Sequence, residues 1–304
     1  MDMEIIRLNK FEDLKENEKL SLVLGFFDGV HIGHVQLINF ARASSPNKLG
    51  VLTFDKAINK GGKVLTSLED KLAIFASLNV DVTYVVHVDE NFSKILYQDF
   101  VELILKKINP VKIFCGPDFR YGYKAQGDVN YLKERIKEVY VLNYVKDHNG
   151  NKISSSSIKK LIEEGHIYDA NRWLGRVYKI RGKVVSGKGI GRSFGFPTAN
   201  LETDVNYVIP KEGVYITSVT LGKTKHKALT NIGTNPTISS NNKQTIETYI
   251  IDFKDELYGQ DLAISFFSRL RDENKFDSED KLIEQLEKDM DDATYYFNYV
   301  KSIQ

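Results

Sequence analysis

Three stretches of this chain combine residue types and spacings that could do chemistry. The first is Gly25-Phe26-Phe27-Asp28-Gly29-Val30-His31-Ile32-Gly33-His34. It lies where a short apolar run, Leu20–Leu24, passes into a helical pattern, Val35–Ala43. A helix start offers free N–H groups and the positive end of the helix dipole, which suits phosphate. Gly25, Gly29 and Gly33 allow backbone and ligand to approach closely, and Phe27 sits within the same turn. His31 and His34, three apart, can share one face and donate hydrogen bonds to a phosphate whose charge grows during reaction.

The second stretch is Ile153-Ser154-Ser155-Ser156-Ser157-Ile158-Lys159-Lys160. Hydroxyls of Ser155 and Ser156 at a helix start can hold phosphate oxygens, with Lys159 adding charge one turn on. Serine is also a common helix cap, so the run reads either way. The third stretch runs from Gly187-Lys188-Gly189-Ile190-Gly191 to Gly195-Phe196-Pro197-Thr198-Ala199-Asn200. Gly-x-Gly-x-Gly spacing can wrap a polyphosphate with backbone N–H groups. These glycines run into Gly-Phe-Pro instead of opening a helix, so they do not mark a dinucleotide fold. Thr198 and Asn200 offer hard oxygen ligands suited to Mg²⁺. Glu247, in the strand-like Thr245–Tyr249, is either a general base or an exposed strand carboxylate.

The elements around these stretches fall into two classes. Strand signals at Leu20–Leu24, Lys48–Phe54, Val82–Val86, Lys112–Cys115 and Val139–Val145 alternate with helical ones at Val35–Ala43, Leu72–Leu78, Asp99–Ile108 and Val129–Lys137. Thr66 and Glu69 have capping-box spacing ahead of the second helix. This rhythm predicts an α/β Rossmann-like domain with a parallel sheet covered on both faces. After about Trp173 the pattern changes. Lys179–Val185, Val214–Leu221, Lys227–Asn231, Thr245–Phe253 and Leu262–Leu270 read as strands joined by turns rich in Gly, Asn and Lys. They predict an antiparallel β-barrel or sandwich. A C-terminal amphipathic helix follows over Ser278–Met290, with Leu282, Ile283 and Leu286 on one face. The expected domains are 1–172 and 173–304.

At 304 residues the length fits two domains. Lys plus Arg is 42 and Asp plus Glu is 41, a net charge of +1. That balance predicts no nucleic-acid partner and no anionic membrane surface. No apolar run approaches the ~20 residues of a membrane span, and the start of the chain shows no secretory signal. The single cysteine, Cys115, forms no intrachain disulfide and predicts a cytoplasmic setting.

The His-Ile-Gly-His tetrad resembles the signature of the nucleotidyltransferase superfamily, which shares its fold with class I aminoacyl-tRNA synthetases. More of the first half extends the likeness: Gly25–His31, Phe114-Cys115-Gly116-Pro117-Asp118-Phe119-Arg120-Tyr121-Gly122, Gly127-Asp128 and the serine run. Together they resemble the FMN adenylyltransferase module of bacterial bifunctional riboflavin kinase/FAD synthetases. The resemblance implies that Asp118, Phe119, Arg120 and Tyr121 line the flavin and nucleotide site. Three features depart from the family. Ser156 replaces Thr, Lys159 replaces Arg without its bidentate fork, and Lys56-Ala57-Ile58 replaces Pro-His-Pro.

The second half carries its own likeness. Gly-Phe-Pro-Thr-Ala-Asn, Gly213-Val214-Tyr215, Asn231–Thr237, Leu257-Tyr258-Gly259 and Arg271–Phe276 resemble the riboflavin kinase domain. That resemblance implies metal and nucleotide held by Thr198 and Asn200, a ribityl hydroxyl activated by Glu247, and Arg271 in a flap near the flavin. Tyr249 stands where the family usually has His. The implied enzyme uses ATP and Mg²⁺ to turn riboflavin into FMN, then FMN into FAD with release of pyrophosphate. The alternative is a riboflavin kinase whose adenylyltransferase domain is weakened or differently specific.

Overall fold

A computed structural model describes residues 3–9, 19–56, 62–187, 196–234, 244–253, 255–274 and 276–300. The chain divides into two compact units, residues 1–155 and 156–304.

In the first unit, six strands form one parallel sheet in the order β1-β4-β3-β2-β5-β6. They are β1 (Glu4–Leu8), β2 (Leu20–Leu24), β3 (Lys48–Phe54), β4 (Val82–Val86), β5 (Lys112–Cys115) and β6 (Val139–Val141). The last expected strand, Val139–Val145, ends at Val141, and β1 is a strand the sequence pattern did not predict. The order steps outward from β2 in both directions, which opens a crevice at the carboxyl ends of β2 and β5. The central strands β2 and β4 are buried along their whole length, and β3 beyond Lys48, because both faces are covered. Val23, Val51, Val85 and Phe114 pack on one side with Phe27, Leu37, Ile38 and Phe75. Leu22, Leu52, Tyr84 and Ile113 pack on the other with Phe100, Ile104 and Leu132.

The helices of this unit are α1 (Ile32–Ala43), α2 (Leu68–Ser77), α3 (Glu90–Ser93), α4 (Tyr97–Phe100), α5 (Lys106–Ile108) and α6 (Val129–Arg135). A π-helical turn, Val101–Leu105, interrupts what the spacing reads as one helix over Asp99–Ile108. The N-cap of α2 is Ser67, not Thr66: its hydroxyl accepts from the Asp70 N–H at 3.1 Å. Ser67 and Asp70 repeat the Thr66–Glu69 spacing one residue later, so spacing alone could not separate the two registers.

The second unit is a closed barrel in the order β10-β11-β8-β7-β12-β9. Its strands, all paired antiparallel, are β7 (Tyr178–Val185), β8 (Thr198–Glu202), β9 (Gly213–Leu221), β10 (Thr224–Thr234), β11 (Gln244–Ile250) and β12 (Asp261–Arg271). Closure removes the exposed edges an open sheet would leave. Within the barrel the Thr217, Thr230 and Thr248 hydroxyls form a buried row, each neighbour 2.9 Å away.

Two helices, α7 (Ser155–Glu163) and α8 (Ile167–Leu174), precede the barrel. The Asn171 side chain donates to the Phe266 carbonyl and accepts from the Tyr178 N–H, which fastens α8 to β12 and β7. The last helix, α9 (Glu279–Tyr295), is capped by Ser278 and runs beyond the expected Met290. Its buried residues are Asp289 and Ala293, while Leu282, Ile283 and Leu286 are half-buried.

Candidate active sites

The turn after β2 is shaped by backbone conformation as much as by side chains. Phe27 and Gly29 both have positive φ, 56° and 79°. Gly29 takes that conformation without steric cost, and Phe27 is held in it by burial against Phe75 and Leu37. Asp28 is buried, and its Oδ1 accepts from the Leu65 N–H at 2.7 Å. The Ser155 hydroxyl donates to the Asp28 carbonyl at 2.8 Å.

His31 is the N-cap residue of α1, and its side chain makes no capping hydrogen bond. It is buried and stacks on His34, ring centroids 3.7 Å apart and planes 22° from parallel. Phe27 packs edge-on against His34 at 5.1 Å. A β-carbon on Gly33 would stand 3.2 Å from the His31 ring, so the glycine leaves room for that imidazole. Gly25 sits where the turn leaves β2, its N–H donating to the Leu52 carbonyl. The structure therefore brings together Gly25, Phe27, Gly29, His31, Gly33 and His34 at one helix start, a place suited to phosphate.

The segment after β5 is held by charge and by rings. Asp118 pairs with Lys152 at 2.7 Å, and the Lys152 ammonium lies 3.6 Å above the Tyr144 ring. Arg120 pairs with Asp128, 3.2 Å away. The Tyr131 N–H, then the Arg120 guanidinium, hold the Asp128 carboxyl below the usual carboxylate range. Phe119 stacks on Tyr121 at 5.6 Å, and Tyr121 is buried. The Tyr121 hydroxyl has no hydrogen-bond partner among the described residues, and burial pushes its pKa up. Cys115 is fully buried, and burial lifts its thiol to about 12, which leaves no thiolate for nucleophilic work. Ser156 is exposed and Lys159 half-buried on α7, in the second unit.

In the barrel, register decides the site. Glu247 on β11 lies directly opposite Asn200 on β8, and Asn231 on β10 lies opposite Glu247 from the other side. One row across three strands thus carries two amides and a carboxylate. Thr198 is two residues along β8 on the same face, opposite Tyr249. Glu247 is half-buried, and its neighbours Ile246 and Thr248 turn into the core. Gly187 lies against Asn200: a β-carbon there would stand 1.9 Å from the Asn200 amide nitrogen. Lys188, Gly189 and Gly191 lie outside the described residues. Tyr249 packs edge-on to Phe196 at 5.3 Å, and burial raises its pKa.

Asn231 and Glu273 lie in segments that carry the family likeness, but the sequence reading gave neither a role at the site. The Asn231 amide donates to Glu273 Oε1 at 3.3 Å, and its own Oδ1 is buried without a partner among the described residues. The signal for Asn231 was cross-strand pairing, which motif spacing does not contain. Arg271 ends β12 with its side chain committed to Asp289 of α9. Its Nε is 3.0 Å from both carboxylate oxygens, its Nη2 is 2.7 Å from Oδ2, and Gln285 donates to Oδ1.

Among the described residues, no group of three or more His, Cys, Asp or Glu could hold a metal. The barrel row instead offers a hydroxyl, an amide oxygen and one carboxylate, hard oxygens of the kind Mg²⁺ takes alongside substrate phosphates. The donor set therefore fits that ion. No helix among the described residues is long and apolar enough to cross a membrane.

Comparison with known proteins places these sites in context. Residues 13–157 match the family model described as FAD synthetase, and residues 174–297 match the one described as riboflavin kinase. A bifunctional riboflavin kinase/FMN adenylyltransferase of Listeria monocytogenes is 37% identical over 288 residues, covering 91% of this chain and 92% of the relative. The protein of that name from Bacillus subtilis is 32% identical, covering 94% of this chain and 95% of its own. Among solved structures, a chain from Streptococcus pneumoniae titled macrolide-efflux protein superposes with a TM-score of 0.86. It is 28% identical and covers 95% of this chain and 98% of its own.

Proposed function

The chain belongs to the family of bifunctional riboflavin kinase/FMN adenylyltransferases, and we propose how its two reactions divide between named residues. The enzyme phosphorylates riboflavin to FMN with ATP and adenylylates FMN to FAD with release of pyrophosphate. We assign the adenylyl transfer to residues 1–172 and the phosphorylation to residues 173–304. What supports the division is that the stacked imidazoles and the Asn200–Glu247 pair belong to different compact units.

In the barrel, Glu247 takes the proton of the ribityl 5′-hydroxyl as its oxygen attacks the γ-phosphorus of ATP, and ADP leaves. Thr198 and Asn200 would hold Mg²⁺, which when bound neutralises charge on the phosphates. Backbone N–H groups of the glycine loop from Gly187 through Lys188, Gly189 and Gly191 would wrap the polyphosphate. Asn231, beside Glu247, is placed to orient that carboxylate or the ribityl chain. Arg271, braced by Asp289, would stand near the flavin.

In the first unit, a phosphate oxygen of FMN attacks the α-phosphorus of a second ATP, and pyrophosphate leaves. His31 and His34 donate to the charge that develops there, with the N-terminus of α1 behind them. Ser155, whose hydroxyl reaches the Asp28 carbonyl, would hold a phosphate oxygen, and Asp118, Phe119, Arg120 and Tyr121 would line the flavin side. No covalent enzyme intermediate is needed, in keeping with the inert Cys115. The one buried cysteine favours a cytoplasmic enzyme, with ATP, riboflavin and FMN as its small-molecule partners and no nucleic acid or membrane. The test is a time course of purified protein with riboflavin, ATP and Mg²⁺. FMN should appear first and FAD follow. FMN that accumulates without conversion to FAD would leave only the kinase half of the assignment standing.

A further inference from the structure

Lys71 is the fourth residue of α2, and it is only 3% exposed. Its Nζ lies 3.0 Å from the Phe26 carbonyl, 3.3 Å from the Phe54 carbonyl and 3.4 Å from the Thr53 hydroxyl. The same ammonium stands 4.5 Å above the Phe26 ring. Phe26 belongs to the turn that leads to His31. Thr53 and Phe54 end β3, immediately before the segment where this chain has Lys56-Ala57-Ile58. Thr53 adds a bond of its own, donating to the Phe26 carbonyl at 3.0 Å.

A buried ammonium is costly, and a methionine of similar length could fill the space without a charge to desolvate. What methionine could not do is tie the turn after β2 to the end of β3. Lys71 has three N–H donors, and three neutral acceptors face them. The charges that act on it are those of Asp28, from the turn, and Asp55, which follows β3. Asp55 is itself bonded to His87 Nδ1 at 2.6 Å and to the Val88 N–H.

We propose that Lys71 is a positioning residue for adenylyl transfer: its ammonium fixes the Phe26 carbonyl against the end of β3 and so sets the backbone that presents His31 and His34. Being buried, it acts through the turn and does not touch substrate. The proposal rests on the placement of adenylyl transfer at that turn.

A pH signature follows. Burial pulls the Lys71 pKa down to about 8, against the opposing pull of Asp28 and Asp55. A neutral amine has two donors and a lone pair, so one of the three acceptors would then face a lone pair. The kcat/KM for FAD formation should fall as pH rises through about 8. Stability moves the other way. Between about 8 and 10.5 the unfolded lysine binds a proton that the folded one has lost, so Lys71's contribution to stability rises with pH. A lysine that served packing alone would not set these two trends against each other.

The experiment uses full-length Lys71→Met and Lys71→Arg. FMN-to-FAD conversion and riboflavin phosphorylation are measured on the same preparations from pH 6.5 to 9.5. Loss of charged hydrogen bonds should lower FAD formation by Lys71→Met roughly ten- to a hundredfold, mainly in kcat, and remove the limb near pH 8. Riboflavin phosphorylation is the internal reference and should be unchanged. Lys71→Arg should recover much of the activity at pH 7 and carry it to higher pH, because its guanidinium stays charged. Unchanged FAD formation in Lys71→Met, or a wild-type profile flat from pH 7 to 9, would overturn the proposal. The flat profile decides even if Lys71→Met does not fold. His31→Ala separates the layers. If it retains FAD synthesis, the placement at the turn fails; if it loses synthesis while Lys71→Met keeps it, only the role of Lys71 fails.

Discussion

On the proposed division of labour, the two units solve the same problem, holding ATP for attack by a flavin-bearing oxygen, with opposite construction. In the parallel-sheet unit the glycines and imidazoles that meet the phosphates sit in one unbroken stretch, residues 25–34, at a strand end and a helix start. In the barrel they come from β8, β10 and β11, and only cross-strand register places Asn200, Glu247 and Asn231 in one row. The first site is preorganised by backbone: positive φ at Phe27 and Gly29, a buried Asp28, and the helix dipole. The second is preorganised by a closed ladder whose neighbours cannot slip without moving every side chain to the other face. A helix start can thus be built locally, whereas a carboxylate beside an amide on a barrel wall needs the whole barrel.

The strongest way to break this comparison is to remove one group from each site. Glu247→Gln should lower riboflavin phosphorylation roughly a thousandfold, because it removes the proposed general base, and leave FMN-to-FAD conversion intact. His31→Ala should do the reverse, lowering adenylyl transfer roughly a hundredfold while phosphorylation survives. Both are read from separate assays with riboflavin and with FMN as starting flavin. If either variant loses both activities, the two sites are not independent.

A smaller effect tests the barrel's dependence on its last helix. Asp289 is buried and takes Arg271 in a bidentate pair, with side-chain exposures of 1% and 18%. Asp289→Ala should cost about 3 kcal/mol, the low end for breaking a buried pair because Arg271 still reaches water. Urea unfolding would measure this, and a raised riboflavin KM should accompany it. The smallest effect concerns the first unit. Ser67→Ala removes the N-cap of α2 and should cost about 1 kcal/mol, seen as an earlier thermal transition with both kcat values kept. A drop in adenylyl transfer alone would show that the first turn of α2, which carries Lys71, also sets the site.

Much of this was legible because local chemistry left marks in the sequence. His31 and His34 at spacing three, flanked by glycines, could be read as sharing one face at a helix start; that their rings stack there came only from the structure. The change from α/β rhythm to strands with polar turns after about Trp173 matches the change from parallel sheet to barrel. Thr198-Ala199-Asn200 was legible as a motif but not as a strand, because Pro197 and the glycines before it read as loop. The Asp99–Ile108 run read as one helix, since apolar spacing does not distinguish an α-helical turn from the π-helical one at Val101–Leu105. Arg271 could be assigned to a flavin flap by resemblance, but its grip on Asp289, 18 positions later, was not readable from spacing.

By itself, then, the sequence determined what is written in neighbouring residues: the two fold classes, the glycine–imidazole turn, the hard-oxygen pair and the absence of a disulfide. Tertiary structure alone decided which distant groups meet. Lys71 reaches the Phe26 carbonyl across 45 positions, and Glu247 finds Asn200 and Asn231 by register. The physical reason is that helices and turns follow from bonds a few residues long. A buried ammonium among carbonyls, or a carboxylate between two amides, exists only after the sheet has closed around it and excluded water.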